Sequence, residues 1–150
     1  MARIADPIVS SPDLEPDAPI DPRFGGADGA RPRLEVTGVP DGAVELAVIV
    51  HDRDAPSSSG FTHWVVYGLP PEDGPIDTDG LAVRFGPNST GSTEYAPPDP
   101  PRGHGVHHYD FWVYALDAPV EGAPSREEFL AQYGERIVGQ GRLVGTFENV

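Results

Sequence analysis

The feature that most limits the fold is a series of short apolar runs, each closed off by glycine, proline or aspartate. They span residues 33–37, 44–50, 63–69, 83–85, 107–116 and 142–147. Val44, Leu46, Val48 and Val50 recur with period two, the pattern of a strand with one face on a core. Trp64, Val65, Val66 and Tyr67 are apolar without alternation, so that run is expected to be covered on both faces. Several short strands separated by turn residues predict a mostly β chain, a sandwich or a barrel. The turns draw on 18 glycines and 18 prolines, a share just below the level at which disorder becomes the expectation.

One helix is signalled. Ser125 with Glu128 three residues later forms a capping box, Phe129, Leu130 and Tyr133 supply an apolar side, and Gly134 offers a stop. It is expected to pack on the sheet. Residues 1–20, rich in proline and aspartate, read as an extended or frayed N-terminal arm, and residues 21–150 as a single domain without internal repeats.

Composition removes several classes of function. Without cysteine there is no disulfide framework, thiol nucleophile or thiolate metal site. A formal net charge of -14, with 10 scattered cations that are all arginine, argues against nucleic acid and against anionic membrane surfaces as partners. No run approaches the roughly 18 apolar residues of a spanning helix, and residues 1–19 lack the basic and apolar regions of a secretion signal. The expected location is the cytoplasm, and no cofactor-binding motif is present.

Polar residues that carry chemistry gather at strand ends. Asp52 and Asp54 follow the run ending at Val50 and are set two residues apart, a spacing that aims both carboxylates to one side. Taken alone, Asp-x-Asp is an ordinary turn former. His63 opens the most apolar run, where an imidazole is either a satisfied core residue or a functional one. The stretch Pro100-Pro101-Arg102-Gly103-His104-Gly105-Val106-His107-His108-Tyr109 leads into another run. Period two there puts His107 and Tyr109 on one face with Phe111 and Val113, and His108 and Asp110 on the other. Such a His/Tyr pair either caps a sheet edge or donates to a phosphate or carboxylate, with a nearby Asp fixing the imidazole tautomer.

Taken in order, three motifs resemble the phosphatidylethanolamine-binding protein family, which includes the Raf kinase inhibitor proteins and bacterial and archaeal relatives. They are Asp52-Arg53-Asp54-Ala55-Pro56, His63-Trp64-Val65-Val66, and Pro100 through Tyr109; the similarity extends from about Arg33 to Phe147. The resemblance implies an antiparallel β-sandwich with Greek-key topology and one or two short peripheral helices. It also implies a pocket in which an anion meets Asp52, His63, His107 and Tyr109, with Asp54 and Pro101 shaping the rim. Departures from the family pattern are Arg53 for the usual Pro, His108 for the usual Arg, and a 95–101 segment without glycines. Asp99 in that segment, if it joined Asp52 and Asp54, would make three acids that disfavour an anion.

The expected function is therefore a binding or regulatory protein, not an enzyme, that accepts a small phosphate- or carboxylate-bearing ligand. A protein partner, as in kinase or protease inhibition, and a homodimer are further expectations from the resemblance. Two alternatives share the same residues. One is a hydrolase in which His63 or His107, oriented by Asp52, activates water or one of Ser57, Ser58 and Ser59; no Gly-x-Ser-x-Gly elbow supports it. The other is a metal site from Asp52, Asp54, His63 and His107, for which no motif of local spacing is present.

Overall fold

The computed structural model describes residues 6–150. Two sheets face each other. The larger contains β2 (Ala18–Pro19), β4 (Glu45–Asp52), β5 (Phe61–Leu69), β7 (Arg84–Phe85), β8 (His107–Leu116) and β9 (Ile137–Phe147). Their spatial order is β2-β9-β8-β4-β5-β7. The smaller sheet contains β1 (Ile8–Ser10), β3 (Glu35–Thr37) and β6 (Gly74–Pro75), in the order β1-β3-β6. All pairings are antiparallel except the short β2–β9 contact.

The order β8-β4-β5-β7 is a Greek key: three strands in sequence, then a fourth that returns beside the first. The return is the long connection 86–106, and it carries the proline-rich stretch across one end of the sheet. That crossover is what builds a pocket.

All eight residues of β4 are buried. Leu46, Val48 and Val50 face the core between the sheets, which Val9, Val36, Phe111 and Val113 help to fill. Val44, placed on that face by its spacing, lies just before the strand and is half exposed. Ala47 and Ile49 face a second core under the helix α1 (Arg126–Tyr133). There Phe129 is fully buried, its ring 5.4 Å from that of Tyr67 and 5.5 Å from that of Tyr114. Both halves of the capping box at Ser125 and Glu128 are made. Gly134 does not stop the helix in a left-handed turn; it stays in right-handed helical conformation and leads into a 3-10 turn.

The N-terminal segment differs from expectation. Residues 1–5 of the predicted arm lie outside the described residues, but residues 6–20 are part of the sandwich. β1 pairs with β3, β2 runs beside β9, and Val9, Leu14 and Ile20 are buried in the main core. Glycines in β9 make the space. A Cβ at Gly141 would lie 2.1 Å from the Pro7 carbonyl oxygen, and one at Gly145 would lie 2.7 Å from Ile20 Cγ1. The same glycines thin out the apolar signal, which is why β9 begins five residues before the run that predicts it. Gly141→Ala is expected to lift the 6–20 segment from β9 and cost about 1–3 kcal/mol of stability in urea unfolding, the usual range for overpacking.

Candidate functional site

β4 ends at Asp52 and lies between β8 and β5. Pairing Asp52 with Tyr109 and Val50 with Phe111 keeps the β4–β8 ladder in register, so Asp52 and Tyr109 share the face that looks into the main core. His107, two residues before Tyr109, continues that face. On the other side the ladder slips: Val50 faces Trp64 but His51 faces Thr62, so His63 is an extra residue in a bulge. Strict alternation from Trp64 to Tyr67 would put His63 with Val65 and Tyr67, under α1. The bulge sends His63 to the Asp52 side and leaves Thr62 on the back, its hydroxyl 3.0 Å from His51 Nδ1.

These side chains line a cavity of about 280 Å³, the size of a small ligand or headgroup. Asp52, His63, His107 and Tyr109 form one side of it, with Phe61 beside them. Pro97, Asp99, Pro100 and Pro101 from the crossover form the other side, and Ala55 and Pro56 close one end. Five of the six residues expected at the site are thus brought together.

Asp54 is the exception. It does not line the cavity; the chain turns after Asp52, period two no longer holds, and Asp54 accepts hydrogen bonds from both the backbone N–H and the Nδ1 of His108, at 2.7 Å each. Burial opposes its ionisation, but those bonds win and hold its carboxyl below the usual range. The two departures at Arg53 and His108 thereby find their partners away from the cavity. Arg53 reaches Asp110 at 2.9 Å, where Arg142 also approaches, on the back of the sheet.

The polar network inside is closely specified. His107 Nδ1 donates to Asp52 Oδ2 at 2.6 Å, and Asp54 N–H donates to Asp52 Oδ1 at 2.8 Å. Burial first, and then the charge of the neighbouring Asp52, push the Tyr109 phenol above its usual pKa. His63 Nδ1 lies 2.6 Å from the Ala96 carbonyl oxygen, which fixes the proton on that nitrogen. Its ring also makes edge contacts with Phe61 and Tyr109.

Two residues of the site carried no sequence signal strong enough to single them out. His104 places Nδ1 3.1 Å from His107 Nε2. Asn149, near the end of the chain, donates to Asp99 Oδ1 at 2.8 Å and to the Pro100 carbonyl at 2.7 Å, and its own carbonyl accepts from Gly103 N–H. It staples the rim. Asp99 therefore sits at the cavity mouth with one oxygen occupied, and only Asp52 joins it there as a second acid. Among the described residues no group of three His, Asp or Glu side chains is arranged to hold a metal ion.

Burial lowers the pKa of His63 and of His51 below the ordinary 6.5. The unfolded chain then takes up these protons first as pH falls, so the stability they support is present above 6.5 and is lost progressively below it. Urea unfolding free energies measured across that window are expected to decline with acid, and His51→Gln is expected to flatten part of the decline.

Comparison with known proteins agrees with this architecture. The family model described as phosphatidylethanolamine-binding protein matches residues 10–148. UPF0098 protein PH1269 of Pyrococcus horikoshii is 38% identical over 128 residues, covering 78% of this chain and 64% of that protein. The chain thus spans slightly less than two thirds of that relative. LppC of Mycobacterium tuberculosis is 38% identical over 155 residues, covering 98% of this chain and 75% of that protein. Among solved structures, YbcL of E. coli superposes with a TM-score of 0.85 at 26% identity, covering 97% of this chain and all (100%) of that one. CT736 of Chlamydia trachomatis gives 0.83 at 28%, covering 97% and 99%. A carboxypeptidase Y inhibitor, solved with its cognate proteinase, gives 0.65 at 14% identity and shares the fold. With the motifs, the Greek key and the cavity in place, the chain belongs to the phosphatidylethanolamine-binding protein family.

Proposed function

We propose that the protein is a binding protein whose cavity receives the phosphate or carboxylate group of a small ligand against His63, His107 and Tyr109, without chemical turnover. The observation that carries this reading is the convergence of two buried imidazoles and a phenol in one cavity at the end of a sheet, whose remaining lining is apolar apart from Asp52 and Asp99. Asp52 orients His107 from behind, as a carboxylate does for a histidine held in one tautomer. The apolar rim of prolines suits a ligand whose charged end enters first. Its place of action is expected to be the cytoplasm, and a protein partner docking over the same mouth is the reading that the inhibitor of similar fold suggests.

The hydrolase alternative draws on one specific feature, the 2.6 Å Asp52–His107 pair, which is the geometry of an oriented general base. It lacks a side-chain nucleophile and is left with the water route: no serine or threonine lines the cavity among the described residues, and Ser57 Oγ donates to the Gly60 carbonyl. Phosphomonoester and carboxylic ester panels are expected to give no turnover above buffer; a rate abolished by His107→Gln would restore the enzyme reading.

The binding reading is checked by two-dimensional NMR titration with inorganic phosphate and with acetate. Saturable shifts are expected at the amides of Asp52, His63 and Tyr109, and they should weaken in His107→Gln, which removes an imidazole that Asp52 holds against the cavity. Shifts confined to the outer surface would leave the cavity without a role. Circular dichroism of the variant separates lost binding from lost folding.

A further inference from the structure

At the opposite end of the large sheet lies a groove of about 320 Å³ that plays no part in the anion site. Glu45 lines it. This residue opens β4, and at the rise of a strand it stands roughly 23 Å from Asp52 at the other end. Period two sets it with Ala47 and Ile49 on the helix side of the sheet. Its side chain is only 9% exposed, yet one of its two oxygens does the bonding. Oε2 accepts from the N–H groups of Gly68 at 3.1 Å and Val120 at 3.3 Å. No donor among the described residues reaches Oε1, and that oxygen is not sealed from solvent. Arg84 does not fill the gap: it donates to the carbonyls of Ala82, Val120 and Gly122, and its Nη2 stays 4.0 Å from Oε2.

The fold builds this groove with the device it uses at the cavity. β5 has a second bulge, where Tyr67 and Gly68 together oppose Ala47, and Gly68 takes a positive φ of 77°. A Cβ there would lie 2.0 Å from the Ala82 carbonyl oxygen, so glycine is what lets the 80–82 turn close over Glu45. Two of the five exposed large apolar side chains among the described residues flank the groove, Val44 at half exposure and Leu81 fully exposed. Leu69 and Pro70 line it and also a smaller groove beside it, which carries Glu72, Asp73 and Asp77. Asp73 and Asp77 cap backbone N–H groups in turns, the ordinary work of such acids. Glu45 is the acid that turn chemistry does not explain, since it is buried in a strand with an oxygen to spare. No basic side chain lines either groove, so four carboxylates stand against the one guanidinium of Arg84.

We propose that this groove is a second ligand site and takes a small alkylammonium compound, whose N–H donates to Glu45 Oε1 while its chain lies along Leu69 and Pro70 between Val44 and Leu81. The site stands apart from the anion-binding reading and does not depend on it. The excess of carboxylates favours a cation over a neutral donor and disfavours an anion. A small compound is favoured over a docked chain because the volume is that of a small-molecule site, whereas two exposed apolar side chains fall well short of a stable protein interface.

Hexylammonium, hexanol and hexanoate share one chain and differ in the head, so two-dimensional NMR titrations with the three test the proposal on the wild-type protein. Hexylammonium is expected to give saturable shifts at the amides of Glu45, Gly68, Leu81 and Ala82. Its affinity is expected to exceed that of hexanol at least about threefold, the low end for one charged hydrogen bond near solvent. Added salt should weaken hexylammonium and leave hexanol unchanged, and hexanoate should bind most weakly. Equal affinities for hexylammonium and hexanol, insensitive to salt, overturn the proposal. Shifts confined to Asp52 and Tyr109 overturn it too, because they put the ammonium in the cavity at the other end, and so does a failure to saturate. N-acetyl-lysine methylamide carries the same ammonium on a main chain; tighter binding of that compound than of hexylammonium overturns the small-ligand proposal in favour of a docked partner.

Glu45→Gln keeps the shape and an acceptor for Gly68 and Val120, and is expected to bring hexylammonium down to the level of hexanol. Circular dichroism checks its fold, and unchanged hexylammonium affinity in the folded variant overturns the proposal. Leu81→Ser changes a fully exposed position that the core does not use, and is expected to weaken hexylammonium and hexanol alike. If Glu45→Gln does not fold, the salt dependence of the wild-type protein decides.

Discussion

Burial of β4 on both faces is the constraint from which the rest follows. All eight of its residues are out of water, from Glu45 to Asp52, so each face needs its own cover. The three-stranded sheet and the 6–20 segment supply one cover, and α1 supplies the other. Flanking β8 and β5 must then be buried as well, which accounts for ten-residue and nine-residue strands with scarcely an exposed position. A strand held this firmly ends in a carboxylate, Asp52, that cannot move out to solvent.

A buried carboxylate is destabilising unless its lone pairs are filled. Asp52 is satisfied by the backbone N–H of Asp54 two residues on and by His107. The bond from His107 that stabilises the acid also dictates the His107 tautomer. Folding and ligand chemistry are therefore not separable here: the site is pre-set because the charge beneath it must be neutralised. His104, half a turn along the loop between Gly103 and Gly105, extends the chain of hydrogen bonds to the surface.

The crossover from β7 to β8 gives the cavity its outer side. Four prolines between residues 97 and 101 make that segment stiff and poor in donors, and Asn149 ties it to the end of the chain. The mouth is lined by prolines and carries one acid, Asp99.

Much of this was legible in the sequence. Period two located β4 and β8, because alternation is a local consequence of strand geometry, and unbroken or shorter apolar runs located most of β5 and about half of β9. Ser125 and Glu128 located the helix for an equally local reason, and the ordered motifs gathered Asp52, His63, Pro101, His107 and Tyr109 before any coordinates. What the sequence could not decide depends on pairing between distant strands. The bulge that turns His63 from the helix side to the pocket side is a mismatch of register between β5 and β4, and neither strand alone contains it. Asp54 leaves the site because the chain turns and His108, fifty-four residues away, meets it there. The N-terminal segment joins the core because three glycines in β9 leave room for it, and Asn149 reaches the rim across a similar gap in sequence. Local periodicity determined which residues form strands and carry chemistry; long-range register and packing decided where each of those side chains points.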